Sequence, residues 1–534
     1  MVSAGDSYRA APHVRRFGKA DLGYAPKRTL RAWRLLPCLT LVGFAFATTL
    51  ANGVNTAHAS VVERFIPISQ LPQRAGALAP REVANLRGHG SQTSSLVQSS
   101  ARALSSGTPP LVHQSFQGIF DPSIVPPDTN GAAGPTRQVE IINLMVGIWS
   151  RSSPPVLLTQ QTLEALTGSS GTALGDPRVV WDPQTSRFYY TVLDDTNSAL
   201  LTGFSTTASP SSAADWCRYA MPQTNGIDMP HLGDSKDFIL VGFYLFNNGP
   251  KVAWYTKPAA GTTCPASLAS GMQAMPSAGG YPPVPAHEVD VQSTGYVLAA
   301  GNGTNLTMVK VTKSGSGSAI FSAPSSISVP PFTGAPPAPQ QGSGQLIDVF
   351  DARLQEAVGA VDPSRAGKFA LWTEHTVAGG AGSMIRWYEI DPSTNGLFES
   401  GTVRSPTLWM FAGAISPDRL VNGSVHKFGD SMVLSFNTSS STTHIAIRVV
   451  SKIGSAPQSA PLLVKASTAP YLSYDCAAAN STCRWGDYSG AAPDPKASST
   501  SRHGAVWAAN EWNVTNPDPR GSTAWRTWIF TASP

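Results

Sequence analysis

The sequence has few charged residues and lacks the short motifs that mark several common enzyme classes. Only 13% of its 534 residues are charged. It contains no GxSxG elbow, no phosphate-binding glycine loop and no CxxC pair, and the His-Glu pair at 287–288 has no second histidine at zincin spacing. The sequence therefore gives no local support for a lipase-type hydrolase, a nucleotide-dependent enzyme or a zinc or thiol redox centre.

Long apolar runs are absent except near the N-terminus. There, KRTLRAWR precedes LLPCLTLVGFAFATTLA, and Ala57-His58-Ala59 follows as an A-x-A cleavage site. We predict that residues 1–59 are a signal peptide and that cleavage near Ala59 delivers a secreted, periplasmic or extracellular protein. No other segment approaches the length of a membrane span, so we expect none in the mature chain.

Positive charge is also scarce once the predicted signal peptide is removed. Residues 1–59 hold 8 Lys/Arg and 2 Asp/Glu, which leaves 30 and 31 in the remainder of the chain. Because nucleic-acid binding needs a basic surface on the folded domain, this balance argues against a nucleic-acid partner.

Cysteine is rare, but its number is even after cleavage. Four of the five cysteines lie beyond residue 59. Three connectivities are formally possible, and the simplest is the local pairing of Cys217 with Cys264 and of Cys476 with Cys483. Free buried thiols are the alternative, which an oxidising compartment disfavours.

What the sequence does contain is turn formers, aromatic residues and an internal repeat. With 48 Gly, 44 Pro and 13 Trp, its composition favours many short strands. A motif that often ends in Asp-Pro recurs, followed by a turn and a strand, as in GDPRVVWDP, EAVGAVDP and RWGDYSGAAPDP. Seven copies begin at Asn130, Asp176, His231, His287, Glu356, Ala412 and Tyr488.

Successive copies are 46, 55, 56, 69, 56 and 76 residues apart, which suits one four-stranded propeller blade per copy. We therefore predict an all-β fold, a β-propeller of seven blades with six or eight as alternatives. The predicted propeller domain covers residues 115–534. Residues 60–114 lack periodicity, and we interpret them as a linker or a segment that wraps the domain.

The aligned starts of the copies form a column of polar residues that should face the central channel. A wide, wet channel needs no function to be polar, which is the simpler interpretation. The alternative is a ligand site, in which Asp176 and Glu356 act as acid and base on a glycoside, or His231, His287 and a carboxylate hold a metal. The catalytic candidates are Asp176, His231, His287 and Glu356, and the substrate-binding candidates are Asn130, Arg178, Asp487 and Tyr488.

No cofactor follows from the sequence, although structural calcium is compatible with its Asp-rich turns. DDTN, at Asp194 to Asn197, is one such turn, and an ordinary β-turn is the alternative.

The motifs PPDTNGAAGP, GDPRVVWDP and RWGDYSGAAPDP, in this order, resemble those of secreted bacterial β-propeller proteins that are often described as sialidase-like. The resemblance covers roughly residues 115–531 and implies a propeller fold and export, with no established activity. The chain departs from true sialidases, because it has no SxDxGxTW box and no recognisable arginine triad. A sialidase activity would rest on fold analogy alone.

The predicted function is recognition of a polymeric carbohydrate at the channel mouth by a monomeric secreted protein, whose partner is a glycan or another cell-surface ligand. Whether the protein is an enzyme is open; glycoside hydrolysis or polysaccharide lyase chemistry would be its catalytic form. The alternative is a non-catalytic surface or adhesion propeller that binds protein partners.

Overall fold

The computed structural model describes residues 107–171, 173–275, 280–473, 476, 482–496, 502–515 and 525–534. The predicted signal peptide and most of the predicted linker lie outside these residues. The first strand, β1, spans Leu111–Gln117. The predicted domain start at residue 115 falls inside this strand.

The first antiparallel sheet contains four consecutive strands. They are β2 (Asn130–Ala133), β3 (Arg137–Ile142), β4 (Met145–Ser150) and β5 (Leu157–Thr162). The short helix α1, Leu163–Thr167, follows directly. Thr162 caps its start by accepting a hydrogen bond from the amide of Ala165, and Gly168 ends it at a φ of 69°.

The next two sheets repeat this meander. The second comprises β6 (Leu174–Asp182), β7 (Arg187–Asp194), β8 (Ala199–Ser205) and β9 (Trp216–Pro222). The third comprises β10 (Ile227–Asp234), β11 (Phe238–Leu245), β12 (Gly249–Thr256) and β13 (Ser270–Ala274). A 3-10 turn at Ala213–Asp215 precedes β9.

The fourth sheet has the shortest inner strand. Its strands are β14 (Val284–Pro285), β16 (Gly295–Ala300), β17 (Asn305–Lys313), and β18 (Ala319–Phe321) with β19 (Ser325–Ser328), both of which pair with β17. The two-residue strand β15, His287–Glu288, continues β14 and pairs in parallel with β10 and with the inner strand of the next sheet. Strands β20 (Ala338–Gln340) and β21 (Ser343–Ile347) form a separate hairpin.

The fifth and sixth sheets have the longest strands. The fifth contains β22 (Leu354–Asp362), β23 (Lys368–Gly379), β24 (Gly382–Asp391) and β25 (Gly396–Val403), with a 3-10 turn at Pro363–Arg365. The sixth contains β26 (Trp409–Pro417), β29 (Ser431–Ser440), β30 (Thr443–Ile453) and β31 (Leu462–Ala466). A small hairpin of β27 (Leu420–Asn422) and β28 (Val425–Lys427) is inserted after β26.

The seventh sheet joins the two ends of the domain. After β32 (Thr482–Cys483), which pairs with β21, come β33 (Gly490–Asp494), β34 (Ala505–Asn513) and β35 (Trp525–Ser533). Strand β1 pairs with β35 and supplies the fourth strand. The first and last described strands are therefore hydrogen-bonded to each other, and this pairing closes the ring. The edges of β1 and β35 that face each other are both paired.

The inner strands form a ring, in which β2, β6, β10, β14, β22, β26 and β33 contact one another in this order and β33 contacts β2. Apolar clusters fill the spaces between neighbouring sheets. Trp181 and Phe188, for example, pack with Val139 and Ile148 between the first and second sheets. The fold is thus an all-β propeller, as predicted. Among the described residues, the groups around the ring have four strands, except that of β14, which has five; the number of blades stays a prediction.

The recurring Asp-Pro motif is one structural unit at the end of an inner strand. Asp182, Asp362 and Asp494 are the last residues of β6, β22 and β33. Each carboxylate accepts a hydrogen bond from the backbone amide two residues further on, at 3.0, 2.6 and 2.8 Å. Each of these Asx turns follows an inner strand and leads the chain towards the next strand of the same blade.

The two predicted disulfide bonds are confirmed: Cys217 pairs with Cys264 and Cys476 with Cys483. The first ties β9 to the segment that follows β12. No helix among the described residues combines the length and apolar character that a membrane crossing needs.

Candidate functional site

A repeated β-bulge at the start of the inner strands positions the site residues. In β6 and β10 the bulge contains a residue with positive φ, Asp176 at 51° and Met229 at 52°, and Arg178 and His231 follow two residues later. Ala412 in β26 has the same role, with a φ of 50°. Asp176 and Ala412 therefore lie two residues before the position that His231 occupies, so the predicted column is out of register in these two strands.

Four of the predicted site residues meet inside the channel. The guanidinium of Arg178 lies 3.8 Å from the Glu356 carboxylate, measured from Nη2 to Oε1, and 4.8 Å from the centre of the Tyr488 ring. The His231 ring contacts Tyr488 edge-on at 5.5 Å between centroids. Glu356 also accepts a hydrogen bond from the amide of Ala491 at 3.1 Å.

The space between these side chains is small. Arg178, His231 and Glu356 line a cavity of about 10 Å³, which is close to the minimum volume that one water molecule needs. A sugar ring cannot enter the channel in this conformation. A larger ligand would have to bind at the channel mouth.

Burial sets the charge of this cluster. Burial raises the pKa of Glu356 to about 8, although the charge of Arg178 opposes the shift. Burial and the nearby charges of Arg178 and Arg353 lower the pKa of His231 well below its usual value, against a smaller opposing contribution from the Gln355 backbone. At neutral pH Glu356 is therefore a protonated acid and His231 a neutral imidazole.

Asp176 belongs to a second cluster, together with Asp128 and Asp487. One carboxylate oxygen from each residue lies within 4.8 Å of the others, and all three side chains are buried. Asn143 donates to Asp128 at 2.6 Å and accepts from the amide of Asp176 at 2.8 Å. Three carboxylates at this separation could hold a hard cation, which prefers oxygen ligands.

Asp128 was missed by the sequence interpretation, although a signal for it was present. It has a positive φ of 49° and stands two residues before Asn130, just as Asp176 stands two residues before Arg178. The motifs PPDTNG and GDPR thus place an aspartate at the same offset. An alignment of these two motifs on the aspartate would have found it.

Two predicted residues lie apart from these clusters. Asn130 accepts a hydrogen bond from the amide of Val179 at 2.8 Å, which links the first and second blades. His287 lines the cavity but lies further along the channel, where its Nδ1 is 2.7 Å from Asp234, the last residue of β10.

A group of partly buried residues near His231 of the channel combines charge with aromatic surface. Arg353 forms two hydrogen bonds with Asp351, each at 2.7 Å, and its guanidinium lies 5.2 Å from the centre of the Phe350 ring. The charges of Asp351 and Arg353 act on Tyr281, whose pKa is raised mainly by burial. Sequence analysis missed this group because its members lie in loops outside the repeated motif.

The Asp-rich turn considered for calcium has the contacts of an ordinary turn. The Asp194 carboxylate accepts hydrogen bonds from the amide and side chain of Asn197, at 2.9 and 2.8 Å, and from the Ser169 hydroxyl at 2.5 Å. These donors satisfy both of its oxygens.

The fold and its channel define a class of protein, the β-propellers. No protein-family model matches the sequence, and no curated protein is significantly similar to it.

Similar solved structures include the Dos1 propeller, with 10% identity, a TM-score of 0.37 and coverage of 79% of this chain and 95% of that chain. The WD40 domain of SCAP from fission yeast matches with 9% identity, a TM-score of 0.28 and coverage of 74% and 82%. An exo-beta-1,3-galactanase from Phanerochaete chrysosporium matches with 10% identity, a TM-score of 0.29 and coverage of 80% and 96%. At these values the matches carry no argument about activity or ligand.

Proposed function

We propose that this protein is an exported propeller that binds a carbohydrate at the channel mouth. The observation that carries the proposal is the partly buried group of Phe350, Asp351, Arg353 and Tyr281, whose Arg353 charge acts on His231 of the channel cluster. Carbohydrates present hydroxyl groups and apolar ring faces together. A site that recognises them needs fixed donors and acceptors next to aromatic surface, and this group supplies both.

In the catalytic form of the proposal, Glu356 donates a proton to a glycoside at the mouth through the one water molecule that the small cavity can hold. Its raised pKa, about 8, keeps the carboxyl group protonated at neutral pH. Asp176, which lies beside Tyr488 at the same end of the channel, is the candidate for the second carboxylate of an acid and base pair. If the protein binds a carbohydrate without cleaving it, the residues at the mouth serve only to bind the ligand.

The experiment is a glycan-panel binding assay combined with detection of new reducing ends. We expect Arg353→Met to weaken binding at least tenfold, and Glu356→Gln to abolish any cleavage while binding persists. Lys313→Met is the matched control. Like Arg353, Lys313 is a cation that pairs with one aspartate, Asp237, at 3.0 Å, but it lies outside the proposed site. Unchanged binding by Arg353→Met, or no binding to any glycan, would refute the proposal.

A second candidate, a protein-binding module, is favoured by a different surface. Val156, Leu157 and Leu158 are 54%, 37% and 44% exposed at the start of the outer strand β5. An exposed apolar run on an edge strand suits contact with another protein. Substitution of Leu158 by Lys should abolish such binding and leave glycan binding unchanged.

A further inference from the structure

We propose that Asp128, Asp176 and Asp487 bind one calcium ion where the first and last blades of the propeller meet. The site shares Asp176 with the catalytic form of the proposed function and shares no residue with the proposed carbohydrate-binding group. Asp128 precedes β2, Asp176 lies in β6 and Asp487 precedes β33. An ion held by all three would therefore connect the seventh, first and second blades.

The geometry of the carboxylates suits a hard cation. Their oxygens lie within 4.8 Å of one another, so a single ion can contact all three. Two hydrogen bonds of 2.6 Å fix the Asp128 carboxylate, one from the amide of Asp487 to Oδ1 and one from Asn143 Nδ2 to Oδ2. Calcium tolerates irregular oxygen coordination, whereas magnesium demands near-octahedral geometry. Because the three carboxylates come from separate segments of the chain and form an irregular group, the site favours calcium.

The charge of the cluster also calls for a cation. Arg484 contacts both carboxylate oxygens of Asp487 at 2.7 Å. The negative charges of Asp487 and Asp176 act on Asp128, and Asp128 and Asp176 are completely buried. Because carboxylates that are buried together repel one another, a bound divalent cation would stabilise the group.

An independent observation is the Tyr488 hydroxyl group. The side chain is only 3% exposed, and the hydroxyl has no hydrogen-bond partner among the described residues. It is near enough to Asp176, Asp487 and Asp128 that their charges help burial to raise its pKa. This buried hydroxyl has no partner and interacts electrostatically with all three carboxylates, so it is available as a further oxygen ligand for a shared ion.

The ring of Tyr488 is held in place by its neighbours. Arg178 stacks over it at 4.8 Å and His231 contacts its edge at 5.5 Å. Substitution by Phe would keep these ring contacts and remove only the hydroxyl oxygen. Tyr488→Phe is therefore a conservative probe of the site.

The test uses the full-length exported protein, stripped with EDTA and titrated with calcium chloride or magnesium chloride. Calorimetry should give one calcium ion per chain, and calcium should raise Tm by several degrees, with magnesium at least tenfold weaker. Asp128→Asn should weaken calcium binding at least 100-fold, and Tyr488→Phe about tenfold. Asp494→Asn is the matched control, because Asp494 is also a buried aspartate with an arginine partner, at 2.6 Å, but at the opposite end of β33.

The calcium-free protein separates a cation site from a folding defect. There Asp128→Asn removes repulsion between carboxylates, so we expect the variant to be at least as stable as the parent at pH 8 and to gain nothing from calcium. If calcium neither binds nor raises Tm at millimolar concentration, while acidification alone stabilises the parent, the site takes up protons and the proposal is wrong. Calcium binding by Asp128→Asn with the parent's affinity would equally refute it.

Discussion

Lys257→Met should strongly destabilise the propeller, because Lys257 is the central cation of a buried network between blades. Its Nζ lies 2.5 Å from Asp234 and 3.0 Å from Asp182, and the three side chains are at most 1% exposed. The His287 ring contacts the other oxygen of Asp234 at 2.7 Å. Asp182 and Asp234 end the inner strands of two neighbouring blades, so the network ties these blades together.

The magnitude follows from the two carboxylates that the substitution leaves behind. Methionine keeps the approximate length of the side chain but supplies no charge. Removal of one partner from a buried ion pair costs about 3–5 kcal/mol, since the remaining charge is uncompensated. We expect a loss of this size in the free energy of unfolding at pH 7.

The loss should shrink at low pH. Burial alone would raise the pKa of Asp234, but Lys257, then His287 and hydrogen bonds, lower it to about 2. Since an unfolded aspartate titrates near 3.9, Asp234 contributes on the order of 2–3 kcal/mol above that pH and loses this contribution as the pH falls towards 2. The difference between parent and variant should therefore be larger at pH 7 than at pH 3.

Urea unfolding of both proteins at pH 7 and pH 3 measures these quantities. Lys313→Met is the control, because Lys313 pairs with Asp237 at the surface with 45% of its side chain exposed; such a pair is worth about 0–1 kcal/mol. A loss below 1 kcal/mol for Lys257→Met, or a loss that does not change with pH, would refute the account of the network.

Three further predictions concern other parts of the fold. Glu356→Gln should gain stability relative to the parent by about 4 kcal/mol between pH 5 and pH 8, since in this range the unfolded carboxyl ionises while the folded one, with a pKa of about 8, stays largely protonated; urea unfolding that gives parallel pH profiles would contradict it. Paired substitution of Cys217 and Cys264 by Ala opens a loop with a sequence separation of 47, and by chain entropy should cost about 4 kcal/mol; the parent, reduced without substitution, should lose at least as much, because reduction also opens the bond between Cys476 and Cys483. Trp507→Ala should cost about 3–5 kcal/mol in urea unfolding, because Trp507 is fully buried between the last and first blades, and a cost below 1 kcal/mol would mean that this interface repacks.

Much of the architecture was predictable because its signals are local. Strand alternation and turn chemistry act over a few residues, so the repeats and the Asp-Pro turns could be found without coordinates. The disulfide pairing followed from sequence proximity and was correct. The predicted signal peptide at residues 1–59 and the export that depends on it stay predictions, since that segment lies outside the described residues.

The candidate site was predicted only in part, because its register depends on backbone conformation. Arg178, His231, Glu356 and Tyr488 were identified and do meet in the channel. The alignment that found them placed Asp176 in the same position as His231, two residues out of register. A bulge residue with positive φ has no required identity, since Asp176, Met229 and Ala412 all adopt it here, and only the first belongs to a residue type that favours it.

The sequence by itself determined the repeated strand units, their turns and the chemistry that each unit carries towards the axis. Only the tertiary structure decided which units face one another. Ring closure brings Asp128 beside Asp487, which is 359 residues away, and it sets Lys257 between two blades. The physical reason is that hydrogen-bonded strands and turns are specified by neighbouring residues, whereas the convergence of charges at the axis depends on how complete blades pack around the ring.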